Sequence, residues 1–168
     1  MSHTDNPSRG TTTATPARAR TTGLVVAAIG IVIFNVAPFI AWVSTSDEGT
    51  ERTEVTGYET DSLIPFIAYL GIGLLLSMIY ATRRASRGQH RGLSLVSMAV
   101  ALAAVLQCLV FAIDSMGGLE RGYDLDIQAG VFVGLVGAIV WSVGSGLLAK
   151  EVEGDDRLDD DRGTDRAH

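Results

Sequence analysis

The stretch SLIPFIAYLGIGLLLSMIYATRRASRGQHRGLSLVSMAVALAAVLQCLVFAI, residues 62–113, decides the architecture. It holds two runs, Ser62–Thr82 and Gly92–Ile113, without one Asp, Glu, Lys, Arg or His, joined by a basic segment bearing Arg83, Arg84, Arg87, His90 and Arg91. A helix rises about 1.5 Å per residue, so roughly 20 residues cross a hydrocarbon core about 30 Å thick. Both runs reach that length. Each backbone N–H and C=O in hydrocarbon must find a partner within the protein, and runs this long and continuously apolar do so as helices. The polar and apolar alternation of a membrane barrel strand is missing from them.

Working outward, two further uncharged runs follow the same rule, Thr21–Ser46 before the pair and Ile127–Ala149 after it. The bulk composition of the 168-residue chain, 47% hydrophobic and 19% charged with a net charge of -6, would suit a small soluble domain if the charges were mixed. They are instead segregated into the segments between the runs. The expected fold class is therefore an all-α four-helix transmembrane bundle, with spans near residues 23–43, 62–82, 93–113 and 127–149.

The connections alternate in sign. The loop 44–61 carries Asp47, Glu48, Glu51, Glu54, Glu59 and Asp61 against Arg52, and the loop 114–126 carries Asp114, Glu120, Asp124 and Asp126 against Arg121. The loop 83–92 has no acid. Basic residues in short loops stay in the cytoplasm, so the Arg-rich loop and the Arg18 and Arg20 pair before the first span are expected inside, with the acidic loops outside. Both termini are then cytoplasmic, in the cell membrane. Leu24–Val43 exceeds the usual length of a signal peptide's apolar region, so the first span is read as retained. Trp42, Tyr80 and Tyr123 fall at expected span ends, where amphipathic aromatics sit at headgroup level, and Trp141 is deeper and reads as packing.

Residues 1–20, rich in Thr, Ser, Pro and Arg, and residues 151–168, EVEGDDRLDDDRGTDRAH, are too poor in apolar groups to bury a core. Both are expected to be disordered cytoplasmic tails. In the outer loop, Arg52–Thr60 mixes β-formers around Thr56-Gly57, which predicts a short hairpin over the bundle.

Within the spans, helices associate through small residues and occasional polar contacts, because lipid tails are as apolar as leucine. Gly23, Ala27, Gly30, Phe34, Ala37 and Ala41 form one such stripe, and Gly130, Gly134, Gly137, Trp141 and Gly144 another. Ser94, Ser97, Ala101, Ala104 and Cys108 make a third, and Gly73, Ser77 and Ala81 a fourth. Spacings of three and four keep each set on one helix face. Gly130, Gly134, Gly137 and Gly144 are the candidate helix-packing residues; Gly130-x-x-x-Gly134 also matches a dimer motif, with burial inside the monomer the favoured reading. Asn35 and Gln107, the amides at depth, are candidates for interhelical hydrogen bonds and, in the alternative, for a transport path. Pro38 removes the hydrogen bond to the Phe34 carbonyl and is expected to bend the first helix, while Pro65 in a first turn is harmless.

The chemistry-bearing patterns are few. Cys108 is a lone cysteine and reads as a small hydrophobe. His3, His90 and His168 all lie in polar segments, so no catalytic set, metal site or cofactor site is expected. Ala37-Pro-Phe-Ile-Ala-Trp42 leading into an acidic loop with Thr56-Gly57, behind a Thr-, Ala- and Arg-rich start and ahead of an acidic tail, resembles small four-span membrane proteins of unassigned function from high-GC actinobacteria. That resemblance, over roughly residues 20–150, implies topology only. The functional expectation is a non-catalytic accessory or scaffold subunit whose partners are the lipid bilayer and a membrane protein or a second copy, and not nucleic acid. The alternative is a small transporter or channel component, formed by an oligomer.

Overall fold

The structure is a computed structural model, and it describes residues 21–45, 53–60, 62–84, 87–113 and 125–150. The two tails, residues 46–52 and 114–124 of the acidic loops, and Tyr123 among the expected anchors lie outside the described residues.

Four helices dominate: α1 (Thr22–Val36), α2 (Ile64–Arg84), α3 (Arg87–Ile113) and α4 (Ala129–Lys150). Each, with the 3-10 turn that extends α1 to Phe39, is long and apolar enough to cross a membrane. Around the bundle α1 packs on α4, α4 on α3, α3 on α2 and α2 on α1, with the α1–α4 seam the most extensive and α2 the least embraced.

Two boundaries differ from the sequence reading. The first helix stops at Val36 rather than at residue 43, because Pro38 has no N–H to offer the Phe34 carbonyl. The Ala37 N–H still closes on Ile33, and the chain then tightens into a 3-10 turn over Ala37–Phe39. By Ile40 the backbone is extended. At the opposite end, α2 continues through Arg84 and α3 begins at Arg87, so most of the basic loop is helical. Arg and Gln have good intrinsic helix propensity, which favours helix in this segment.

The described parts of the acidic loops contribute strands. Strand β1 (Ala41–Thr45) lies between β2 (Glu54–Thr56) and β3 (Leu125–Ile127) in a three-stranded antiparallel sheet of order β2-β1-β3. The hairpin expected around Thr56-Gly57 is replaced by a pairing of β2 with β1, with Ala41 opposite Thr56, Ser44 opposite Glu54 and a register shift between Ala41 and Val43. Strand β3 comes from the other loop and sets Val43 opposite Ile127 and Ser44 opposite Asp126. The sheet therefore ties the end of α1 to the start of α4 and caps that end of the bundle. The short β2 and β3 segments carry a weak strand signal of their own, and pairing with a distant partner is a tertiary property that composition does not reveal.

Candidate functional site

The α1–α4 seam is built on glycines placed against backbone. A Cβ at Gly30 would lie 2.6 Å from the Trp141 Cα, and one at Gly144 would lie 2.6 Å from the Ala27 Cα. At Gly23 it would meet the Leu148 Cα at 2.7 Å, and at Gly137 the Phe34 N at 2.6 Å. Real side-chain carbons do not approach backbone so closely, so the two helices meet at a separation that only glycine permits. The carbonyls of Gly144 and Gly137 face Gly23 and Gly30, an arrangement suited to Cα–H···O contacts worth about 0.5–1 kcal/mol each. In lipid, where apolar side chains gain little by leaving their neighbours, this close backbone packing is the main attraction available.

Two indoles fill what the glycines leave. Trp141 is fully buried, its ring over Gly71 of α2 and 6.0 Å from the Phe34 ring. Its Nε1 donates to Ser97 Oγ at 2.9 Å, and Ser97 Oγ lies 2.9 Å from Ser145 Oγ, so α3 and α4 share a buried polar cluster. The sequence marked Ser97 only as a small residue and Trp141 only as packing. The available signal was that a buried indole N–H needs an acceptor, and Ser97 is an acceptor on an inward face.

Trp42, expected as a headgroup anchor, is instead 0% exposed. Because α1 has ended, Trp42 falls on a strand that turns its ring down onto glycine floors. The indole meets Gly57, Gly130 and Gly134, crosses Phe111 edge-on at 5.4 Å, and donates from Nε1 to the Ala37 carbonyl at 2.8 Å. Gln128 completes the junction: its N–H donates to the Trp42 carbonyl at 2.9 Å and its Nε2 to Ser44 Oγ at 2.8 Å.

Gly130, Gly134, Gly137 and Gly144 are thus all buried within the chain, the first two beneath Trp42 and the last two against α1. Cys108 Sγ is close to Gly134 on the inward face of α3. Asn35 Nδ2 donates to the Ile31 carbonyl at 2.8 Å within its own helix, and Gln107 is half-buried on α3; the structure does not bring the two together at a common site. The fourth small-residue set divides: Ala81 is buried, but Gly73 and Ser77 face outward, with open space around Gly73 and the Ser77 hydroxyl returned to the Gly73 carbonyl. Among the described residues no three His, Cys, Asp or Glu side chains gather to hold a metal ion. His90 lies in α3 and is buried, and Ser94 donates to its carbonyl.

In the cap, Glu59 accepts from the Thr56 N–H at 2.8 Å and from the Thr56 hydroxyl at 2.9 Å, closing the turn after β2. The backbone bond first, and the hydroxyl second, hold its carboxyl below the ordinary 4.5.

These features define a class: a helical bundle with four membrane-length helices, closed along a glycine seam and covered at one end by a small sheet. Comparison with protein-family models, curated proteins and solved structures found no match.

Proposed function

We propose that this chain is a non-catalytic multi-pass protein of the cell membrane, with both termini cytoplasmic, that acts as an accessory or scaffold subunit by packing against a protein partner. The observation that carries this reading is the close α1–α4 seam. Backbone meets backbone along α1 and α4, and the two buried indoles lie against glycines. The polar atoms joined across helices at depth, Ser97, Ser145 and Trp141, satisfy one another. A carrier or a hydrolase needs ionisable or nucleophilic groups that can reach a substrate, and this packing offers rigidity instead.

The test is purification from native membranes in mild detergent followed by mass spectrometry. A stoichiometric membrane partner is the expected result; a monodisperse self-oligomer without partner refutes the reading. Orientation is tested separately by cysteine labelling with a membrane-impermeant reagent. A Glu54→Cys variant should react in intact cells and an Arg91→Cys variant only after permeabilisation, with the reverse pattern overturning the assignment.

A further inference from the structure

With Trp42 withdrawn into the core, the cap end of the bundle carries a different set of aromatics on its surface. Phe39 is 70% exposed, Phe66 65% and Tyr69 61%. Tyr58, in the turn after β2, bridges between helices: its ring centroid lies 4.8 Å from that of Phe39 and 6.4 Å from that of Tyr69. A ladder therefore runs from the 3-10 turn after α1, across the cap, to the first turns of α2.

Helix length sets the depth of this ladder. The 15 residues of α1 rise about 22 Å, and the three residues of the 3-10 turn add about 6 Å. The sum falls close to the hydrocarbon thickness of about 30 Å, so Phe39 comes at its boundary. The 21 residues of α2 rise about 31 Å, so the Ile64–Phe66 end of α2 reaches the same level. The ladder is also continuous with the apolar outer surface of the helices, where Val32, Val36, Leu70 and Ile72 are exposed. Amphipathic rings collect at this level because an apolar body and a polar tip suit the two sides of the boundary.

We propose that the Tyr58 turn of the cap is seated in the headgroup region of the cap-side leaflet, with Phe39, Tyr58 and Tyr69 as a phospholipid-binding ladder that anchors the cap to the bilayer. The occupant is the lipid interface itself. The proposal rests on the membrane-spanning reading of the helices and is independent of which compartment the cap faces. It makes the cap two-sided: one flank wets into lipid, while Glu54 and Asp126 on the outer strands stay exposed to water.

Single tryptophans introduced into the full chain test it, because the native Trp42 and Trp141 are fully buried and give a constant background. Tyr58→Trp and Phe39→Trp variants are placed in phosphatidylcholine nanodiscs, in which iodide reaches both faces. Glu54→Trp serves as the water-facing reference and Leu102→Trp, midway along α3, as the reference for membrane burial. The expected result is stronger quenching of both test variants by lipid brominated near the headgroup than by lipid brominated near the chain end, with iodide quenching severalfold weaker than for Glu54→Trp. Iodide quenching equal to that of Glu54→Trp overturns the proposal. So does shielding from iodide and bromine together, which would mean that protein, such as a second copy, covers the ladder. If Leu102→Trp also escapes deep bromines, the membrane-spanning reading itself has failed, and the two failures are told apart.

Discussion

Gly30→Ala adds a single methyl group at the place where α1 and α4 come closest. Its Cβ would lie 2.6 Å from the Trp141 Cα and nearer still to the Trp141 N, so the obstacle is main chain inside a continuous helix and no rotamer change can relieve it. The helices must part, which loosens Gly23 against Leu148 and Gly137 against Phe34 along the same seam. Overpacking of a well-filled core costs about 1–3 kcal/mol, and a clash with backbone belongs at the upper end of that range or beyond it. At about 3 kcal/mol the unfolding equilibrium shifts by roughly a hundredfold. Gly73→Ala is the matched control, since a Cβ there meets nothing within 4 Å. The same chemical change at that site should be neutral or stabilising by up to about 1 kcal/mol from helix propensity. Both variants are measured by reversible unfolding in mixed dodecylmaltoside and dodecyl sulfate micelles, followed by the emission of the two buried tryptophans. A Gly30→Ala variant as stable as Gly73→Ala, within about 0.5 kcal/mol, would show that the seam is not the close contact on which this structure is built.

Other perturbations address the cap and the buried cluster. Trp42→Ala removes the ring that covers Gly57, Gly130 and Gly134 and should cost about 3–5 kcal/mol, with amide hydrogen exchange of β1 and β3 accelerating together; unchanged protection would refute the role given to the indole. Ser97→Ala strands the Trp141 N–H and should cost about 1–2 kcal/mol in the same unfolding assay, against a smaller loss for Ser145→Ala, whose hydroxyl does not accept from the indole. Glu59 should titrate below 4.5 in a carboxyl-resolved NMR experiment, and Thr56→Val should move its midpoint upward. Because the folded value is depressed, the stabilisation from this turn is present above the unfolded value and is lost as pH falls through the folded one. A Glu59 midpoint unmoved by Thr56→Val would contradict the bond.

The four membrane-length helices were legible from the distribution of charge alone. A long uncharged run has few ways to satisfy its backbone in hydrocarbon, so Ser62–Thr82 and most of its counterparts read as helix without reference to neighbours, while the end of Thr21–Ser46 became strand β1. The inward faces of α1, α3 and α4 were legible for a related reason, since close helix contacts require small residues and the three- and four-residue spacing of Gly130, Gly134, Gly137 and Gly144 already places them together. The same rule failed on α2. Gly73 and Ser77 share the spacing but face outward, because spacing states which residues lie on one face and not where that face points.

Other features come from partners far apart in the chain. Glu54–Thr56 and Leu125–Ile127 become strands because both find β1, whose central position exists only after Pro38 has ended α1 and the bundle has brought the two loops to one end. Trp42 reads as a surface anchor while the helix is imagined to continue through it, and becomes the keystone of the cap once it sits on a strand above three glycines contributed by distant segments. Polarity and length, which belong to each segment alone, were enough to mark which helices are long and apolar enough to cross a membrane. Register, strand pairing and the burial of Trp42, Ser97 and Trp141 depend on which segments meet, and only packing supplies that information.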